Sequence, residues 1–412
     1  MPCKIRYEKI IEILDYELLG ELPDPFIFND GSRLTAPADW TRRRAEIYKD
    51  AIELQFGTMP PKPEFLEVEP LYFCGAGKLN SYRITTGTRK NPIIFTMYVF
   101  RSKAGEKAPA VISGDLCFAA MWEDDRAHTL VNENINFVLF NRTELAPDIA
   151  NYNLNDLDEG TGEYDLGRKI YDSTIVRGEC GGQVKRAYPE YTFGTIGAWA
   201  WGYSRCVDAL EILGFADMNL IAFTGHSRGG KTAALAGALD ERAAIVNPNA
   251  TCSGGYSSYR INIKARIEDG SVKKSEDLAH IFRHFPAWMG QGMREYIGRE
   301  NELPFDSHYL KAMVAPRILF VSEAANDIMA NPVGSYQTTE AAREVYKFLG
   351  CEDNLFWHFR KHGGHAHTAE EFSLLANIIN HIRRGDAICD KFFVLPFEPI
   401  KPAYSWKSPE AK

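Results

Sequence analysis

The pentapeptide Gly225-His226-Ser227-Arg228-Gly229 constrains this chain more than any other feature of its sequence. It follows a strand-like run at 219–224 and precedes a helix-forming run at 230–239. A serine on a sharp strand-to-helix turn takes strained backbone geometry, and small residues two positions before and after it relieve the clash. The turn also places the serine beside a helix N-terminus, whose free N–H groups stabilise developing negative charge. Ser227 is therefore the predicted nucleophile, against the alternative of an ordinary strand–helix turn.

Strand-like and helical runs alternate around this turn. Strands are predicted at 81–85, 92–101, 108–113, 135–140, 219–224, 243–246, 317–322 and 355–359, and helices at 193–213, 230–239, 335–349 and 370–382. Such alternation predicts a mostly parallel central sheet with helices on both faces, a three-layer sandwich. Together with the serine turn it predicts the α/β-hydrolase fold. Residues 141–192, rich in Asn, Asp and Gly, are expected to form a long surface loop near the site.

The 412 residues are predicted to form one large catalytic domain with additions. Residues 1–62 are predicted to be an N-terminal helical extension, which ends at a proline-rich stretch. The α/β-hydrolase domain follows at 63–400, with a polar insertion at about 255–312, and 401–412 form a C-terminal tail.

Charge and composition limit the classes of partner and the cellular location that the sequence predicts. The formal net charge is −8, and no block of Lys and Arg occurs, which argues against a nucleic-acid partner. No run approaches the ~18 apolar residues of a membrane span, and the first eight residues lack the apolar core of a secretory signal. A cytoplasmic location is therefore expected. The eight scattered cysteines contain no CxxC pair and indicate reduced thiols rather than disulfides or zinc ligands. The oligomeric state stays open.

A nucleophilic serine needs a base, and this fold supplies it on a loop after the last strand. The loop 361–368 reads Lys-His-Gly-Gly-His-Ala-His-Thr. We favour His365, which follows the two glycines, and keep His362 and His367 as substitutes. With His358 these histidines are crowded enough to raise a metal cluster as an alternative, but metal sites usually add Cys or carboxylate ligands at set spacing. No metal and no cofactor are predicted.

The acid that orients the imidazole is expected on the loop after the strand 317–322. Two carboxylates are candidates, Glu323 at the strand's end and Asp327 a few residues further on. Asp327 is preferred because Glu323 could point into the sheet packing.

The sequence also resembles a known family, the glucuronoyl esterases (carbohydrate esterase family fifteen), over nearly the whole chain. The stretches that carry the resemblance are 40–47, 141–144, 198–205, 227–231, 237–242, 253–255, 306–310, 315–317 and 364–365. The resemblance implies hydrolysis of an ester between a glucuronic acid carboxylate and an alcohol. It also implies Ser227 as nucleophile, His365 as base, Arg228 in the oxyanion hole and Lys231 as a ligand of sugar hydroxyls.

Four departures from the family pattern concern the site. Fungal members carry a Glu where 248–251 reads Pro-Asn-Ala-Thr, and the cysteines that form a disulfide beside their Ser and His are replaced by His226 and by Ala366 or His367. A sugar-stacking Trp is replaced by Met329, and the carboxylate that reads the sugar falls near His284, in a stretch that ends at Trp288. The predicted substrate-binding residues are therefore Lys231, His284, Trp288 and Met329.

These observations predict a carboxylic-ester hydrolase that works through an acyl-enzyme. Its partner is a small-molecule or oligosaccharide ester, in the favoured reading an ester of a uronic acid. Three alternatives remain: a carbohydrate acetylesterase with the same triad, an oligopeptidase on the same fold, and a non-catalytic binding protein.

Overall fold

A computed structural model of the chain describes residues 5–8, 10–73, 79–102, 107–117, 125–149, 181–395, 397–398 and 400–410. The strands in these ranges are β1 (Arg6–Tyr7), β2 (Glu12–Leu18), β3 (Phe65–Phe73), β4 (Leu79–Gly87), β5 (Pro92–Phe100), β6 (Ala108–Ser113), β7 (Asn136–Phe140), β8 (Ala216–His226), β9 (Ala243–Asn249), β10 (Ile261–Arg266), β11 (Val272–Lys274), β12 (Ile318–Ala324), β13 (Leu355–Arg360) and β14 (Val394–Leu395).

The helices in the same ranges are α1 (Trp40–Ile47), α2 (Leu54–Phe56), α3 (Asp125–Asn132), α4 (Gly182–Ala187), α5 (Thr195–Leu213), α6 (Arg228–Leu239), α7 (Leu278–His284), α8 (Ser307–Ala312), α9 (Pro332–Phe348) and α10 (Ala369–Arg384). A π-helical segment, Tyr48–Glu53, joins α1 to α2. Short 3-10 turns lie at Pro37–Asp39, Arg142–Glu144, Gln291–Tyr296, Glu300–Glu302, Ile328–Ala330 and Glu352–Asn354.

The central sheet within the described residues has nine strands in the order β13-β12-β9-β8-β6-β7-β5-β4-β3. The six strands from β13 to β7 run parallel, and β5, β4 and β3 continue the sheet in antiparallel pairing. The carboxyl ends of β8, β12 and β13 therefore meet at one edge of the sheet, which is where ligands bind in open α/β sheets.

Two apolar layers lie on the two faces of the sheet because side chains alternate along each strand. On β8, Ile221 and Phe223 belong to one layer and Ala222 to the other. Helices α5 and α6 cover the first face, and α3 and α10 cover the second. The predicted three-layer arrangement is confirmed.

The N-terminal region corrects the prediction of a helical extension over residues 1–62. Helix α1 lies there, but β2 precedes it and pairs antiparallel with β10 of the insertion. The register shifts at Leu14, so that Ile13 and Tyr16, three residues apart, both pack against the core. A bulge of this kind inserts one extra residue into a strand, and it gives the apolar residues a spacing that imitates a helix. The other domain boundaries stay predictions.

The predicted surface loop at 141–192 lies largely outside the described residues. Its described beginning is not at the surface, because Arg142 and Leu145 are fully buried, and its described end contains α4. Among the described cysteines, Cys206 and Cys252 are buried and free, and Cys117, Cys351 and Cys389 are free and partly exposed. No helix in the described ranges is both long and apolar enough to cross a bilayer.

Candidate active site

Ser227 lies on the sharp turn between β8 and α6. Its backbone, at φ 57° and ψ −121°, falls in a region that costs a non-glycine residue about 1–3 kcal/mol. The glycines of the motif make the turn sterically feasible. A Cβ on Gly225 would lie 2.3 Å from the carbonyl oxygen of Gly229, and a Cβ on Gly229 would lie 1.8 Å from Oδ1 of Asp115. The motif is therefore a packing requirement of this turn, which presents the Ser227 hydroxyl to the site.

The structure brings Ser227, His365 and Asp327 together in one chain of hydrogen bonds. His365 Nε2 lies 2.8 Å from Ser227 Oγ, and His365 Nδ1 lies 2.6 Å from Oδ2 of Asp327. A buried carboxylate on Nδ1 holds the proton there, which leaves Nε2 free to accept the proton of the serine hydroxyl. The His365 side chain is partly exposed, at 30%, whereas that of Asp327 is only 5% exposed. This geometry is that of a nucleophile, a general base and an orienting acid.

The second candidate acid, Glu323, lies elsewhere. It is the sixth residue of β12, and its Oε1 accepts a 2.5 Å hydrogen bond from the hydroxyl of Ser335 on α9. Burial raises the pKa of Glu323 to about 8. The side chain thus points into the packing between the sheet and α9, and the structure brings Asp327 rather than Glu323 to His365.

A single guanidinium supports the loop that carries His365. Arg360, the last residue of β13, donates from Nη1 to the carbonyl of His362 at 2.9 Å, and from Nη2 to those of Gly364 and Ala366 at 3.2 and 2.9 Å. The N–H of Gly364 donates in turn to Oδ1 of Asn326, one residue before Asp327. The loops of the base and of the acid are therefore tied to each other.

The other histidines of this region have separate partners. His362 is exposed and lies 2.9 Å from Oε2 of Glu268, and His358 Nδ1 lies 3.1 Å from the carbonyl of Lys391. His367 is buried, with its ring centroid 4.4 Å from that of Phe372. Neither proposed substitute for the base contacts Ser227. Over the ranges that the structure describes, no three His, Cys, Asp or Glu residues are arranged to hold a metal ion.

His226 packs directly against the base. The centroids of the His226 and His365 rings are 4.6 Å apart, and His226 Nδ1 lies 2.7 Å from Oδ1 of Asn249. The Asn249 amide donates to the carbonyl of Ser322 and to Oε1 of Glu371, each at 3.0 Å. Burial, and after it the neighbouring His365, lowers the pKa of His226 to about 3. His226 is therefore a neutral ring beside the base, and Asn249 is hydrogen-bonded to His226 rather than to His365.

Arg228 lies on the other side of Ser227, at the first position of α6. Its Nη1 is 2.8 Å from Oδ2 of Asp148. Its guanidinium carbon lies 5.0 Å from the ring centroid of Phe285 and 4.9 Å from that of Trp288. Arg228 therefore brings a guanidinium and the start of a helix, whose first N–H groups have no partner within the helix, next to Ser227.

Lys231 follows one turn later on α6 and is almost completely buried. Its Nζ donates to the carbonyl of Thr251 at 2.6 Å and pairs with Oε2 of Glu276 at 3.1 Å. The other oxygen of Glu276 lies 3.9 Å from Nε2 of His280. A buried ammonium and a buried carboxylate are therefore paired one helical turn beyond the nucleophile.

The remaining predicted substrate-binding residues occupy different positions. Trp288 is 2% exposed and lies under Arg228 and Lys231, with its ring stacked on Phe285. His284 is buried, and its ring lies tilted against that of His280, at a centroid distance of 4.2 Å. Met329 is 38% exposed, and its carbonyl accepts the backbone N–H of Glu276. Met329 is thus the exposed residue of the group, while Trp288 and His284 are buried.

Three carboxylates of the site were missed by the sequence analysis. Asp115 accepts the backbone N–H of His226 at 2.6 Å and pairs with buried Arg142. Burial raises the pKa of Asp115, and the Arg142 guanidinium opposes that shift. The others are Asp148 and Glu276. No local sequence motif marks these three carboxylates, since each contacts a partner on a distant segment. The family resemblance predicted a carboxylate that reads the sugar, but it placed that carboxylate near His284.

The sheet and the site together define the class of the protein. A serine on a strand-to-helix turn, followed in chain order by an acid and then a histidine after later strands, is the arrangement of the α/β-hydrolases. The predicted fold is confirmed.

Comparison with known proteins identifies the family within that class. A family model described as "Glucuronyl esterase, fungi" matches residues 177–350. The 4-O-methyl-glucuronoyl methylesterase 1 of Wolfiporia cocos is 30% identical over 354 residues, which are 84% of this chain and 76% of that protein. The 4-O-methyl-glucuronoyl methylesterase of Podospora anserina is 29% identical over 85% of this chain, which spans 64% of that protein's length. The chain belongs to the glucuronoyl esterase family.

Solved structures agree with this assignment. A glucuronoyl esterase of carbohydrate esterase family 15 from Caldicellulosiruptor kristjansonii is 28% identical and superimposes with a TM-score of 0.78 over 95% of this chain and 97% of that one. The glucuronoyl esterase catalytic domain from Hypocrea jecorina is 24% identical, with a TM-score of 0.69 over 97% and 99% of the two chains. The resemblance found in the sequence is therefore confirmed along nearly the whole chain.

Proposed function

We propose that the protein is a serine carboxylic-ester hydrolase that cleaves the ester between the carboxylate of a glucuronic acid and an alcohol. The observation that carries the proposal is the hydrogen-bonded chain from Asp327 through His365 to Ser227, on a turn whose backbone is held in strained geometry. Membership of the glucuronoyl esterase family supports the substrate class.

The proposed reaction has two halves. Ser227 Oγ attacks the ester carbonyl while His365 Nε2 takes the hydroxyl proton, and the C–O bond to the alcohol then breaks as His365 returns that proton to the leaving oxygen. Water, activated by the same imidazole, attacks the resulting acyl-enzyme and releases the uronic acid. The negative charge on the carbonyl oxygen develops beside Arg228, whose N–H donors are already in place.

The pair Lys231–Glu276 supplies the proposed sugar contacts. Two of the three N–H donors of the Lys231 ammonium have protein acceptors, Thr251 O and Glu276 Oε2, which leaves one for a sugar hydroxyl. Glu276 offers acceptors for a hydroxyl that donates. A pair of this kind can form hydrogen bonds with the hydroxyl groups of a sugar acid, whereas an acetyl group has no hydroxyl to bind. The pair therefore favours a uronic-acid ester over an acetyl ester.

A panel of three substrates tests the proposal. Methyl glucuronate, acetylated xylo-oligosaccharide and a peptide anilide are compared as substrates of the wild-type protein and of Ser227→Ala. We expect the highest kcat/KM for methyl glucuronate, and a loss of several orders of magnitude in Ser227→Ala, because the covalent route is gone. Thermal unfolding of both proteins serves as the control for folding.

Each other outcome has a definite meaning. Preference for the acetylated oligosaccharide would make the protein an acetylesterase, and preference for the anilide would make it a peptidase. Near-wild-type turnover by Ser227→Ala would remove Ser227 from the reaction. A folded protein without turnover on any of the three substrates would favour a binding function.

A further inference from the structure

Asp148 connects two parts of the site through its two carboxylate oxygens. Oδ2 accepts a hydrogen bond from Nη1 of Arg228 at 2.8 Å, and Oδ1 accepts one from Nε1 of Trp288 at 3.1 Å. The Arg228 and Asp148 side chains are both largely buried. Asp148 comes from the segment after β7, 80 residues before Arg228 and 140 before Trp288. One carboxylate thus fixes a cation and an indole that belong to different elements.

The indole is itself part of a rigid support. The rings of Phe285 and Trp288 are stacked at a centroid distance of 3.7 Å and an interplanar angle of 5°. The guanidinium carbon of Arg228 lies at 5.0 and 4.9 Å from the two centroids, within the range of a cation–π interaction. Both rings are buried, so the surface under the guanidinium has little freedom to move.

An arginine side chain loses rotamer entropy when it is fixed, and a donor contributes most to catalysis when that ordering precedes the reaction. We propose that Asp148 is a positioning residue, which holds the Arg228 guanidinium on the Phe285–Trp288 pair at the place where the oxyanion forms. This inference rests on the proposed function, since it requires an oxyanion beside Ser227. A carboxylate that only neutralised Arg228 would have the opposite effect and would slow the reaction.

The test uses two measurements on the full chain. The first is the rate at which a fluorophosphonate labels Ser227, because its phosphonyl oxygen takes the position of the oxyanion whatever ester the enzyme prefers. The second is kcat and KM on methyl glucuronate. Asp148→Asn keeps the shape and an acceptor for Trp288 but removes the charge. We expect it to lower the labelling rate and kcat by about tenfold, with little change in KM, as for a coupling of about 1.4 kcal/mol.

A double-mutant cycle separates positioning from general damage. In the Arg228→Ala background, Asp148→Asn should cause no further loss, because no guanidinium remains to be held. Asp208→Asn is the matched control, because Asp208 is also a partly buried aspartate. It is paired at 2.7 Å with both Arg205 and Arg242, and neither arginine belongs to the site. It should lower the unfolding temperature to a similar extent and leave the labelling rate unchanged.

The inference is overturned if Asp148→Asn labels as fast as wild type or faster, or if it causes the same loss in both backgrounds. Labelling that depends on Asp148 in a protein that hydrolyses no uronate ester would leave the positioning role intact and reject the proposed substrate. Absence of labelling in the wild-type protein would reject both, since Arg228 would then have no oxyanion to bind.

Discussion

The two sides of the active site are held in place by different interactions. Ser227, Asp327 and His365 follow β8, β12 and β13, and backbone hydrogen bonds between these strands and β9 fix their relative positions. On the other side, Arg228 and Lys231 start from α6, but Asp148 and Glu276, which fix their charged ends, lie outside the central sheet. The triad side follows from the fold, whereas the binding side depends on individual ion pairs and ring contacts. Substitutions should therefore affect the two sides differently.

The acid of the triad side should show the largest effect. Asp327→Asn is expected to lower kcat by roughly 10⁴, because the imidazole loses the partner that holds its tautomer and stabilises its cation. Glu323→Gln is the matched control, since burial raises the pKa of Glu323 to about 8 and glutamine resembles its neutral form at pH 7. Its kcat should fall far less. Steady-state kinetics on methyl glucuronate measure both, and the reverse order of losses would assign the acid to Glu323.

The ion pair of the binding side should affect KM. Lys231→Met is expected to raise KM for methyl glucuronate by about tenfold or more, the value of a lost charged hydrogen bond, and to spare hydrolysis of 4-nitrophenyl acetate. Because a buried Glu276 without its cation destabilises the fold, the double variant Lys231→Met/Glu276→Gln is the control for stability. Equal losses on both substrates in the folded double variant would place Lys231 in catalysis instead.

The last prediction concerns the pH dependence of folding on the triad side, where no loss of activity is at issue. Burial lowers the pKa of His226 to about 3, from an ordinary value of 6.5. Below pH 6.5 the unfolded chain therefore binds a proton at His226 that the native protein does not bind. The free energy of unfolding is unaffected by His226 above pH 6.5, and it falls between pH 6.5 and pH 3 by up to about 1.4 kcal/mol per pH unit. His226→Gln keeps a donor for Asn249 without this titration. Urea unfolding between pH 7 and 4 should show that the variant loses less stability than wild type.

Several charged or titratable groups surround His226, so the pH experiment needs a second histidine variant as a control. His365, His367, Asp327, Arg360 and Asp115 all face it. His362→Gln changes an exposed histidine of the base loop that does not touch this group, and it should retain the wild-type dependence on pH. Parallel curves for wild type and His226→Gln would show that His226 is not the source of the acid loss.

The sequence predicted the triad side better than the binding side, for a physical reason. Ser227, His365 and Asp327 each belong to a short local pattern at the end of a strand, and the structure joins these three by hydrogen bonds. Asp148 and Glu276 are recognisable only through partners 80 and 45 residues away. The same limit applies to the fold: β2 pairs with a strand about 245 residues away, and β3 is an edge strand whose exposed residues show no alternation.

The contacts of Arg360 also determine which changes the base loop can accept during evolution. The guanidinium binds three carbonyl oxygens, at His362, Gly364 and Ala366, and none of these bonds depends on a side chain of the loop. The identities of residues 361, 362 and 366 can therefore drift while His365 stays in place. The length of the loop cannot change in the same way, because the insertion of one residue would displace the imidazole by about 3.3–3.6 Å, the reach of a single residue. Homologous loops that retain this arginine should vary in sequence and keep their length.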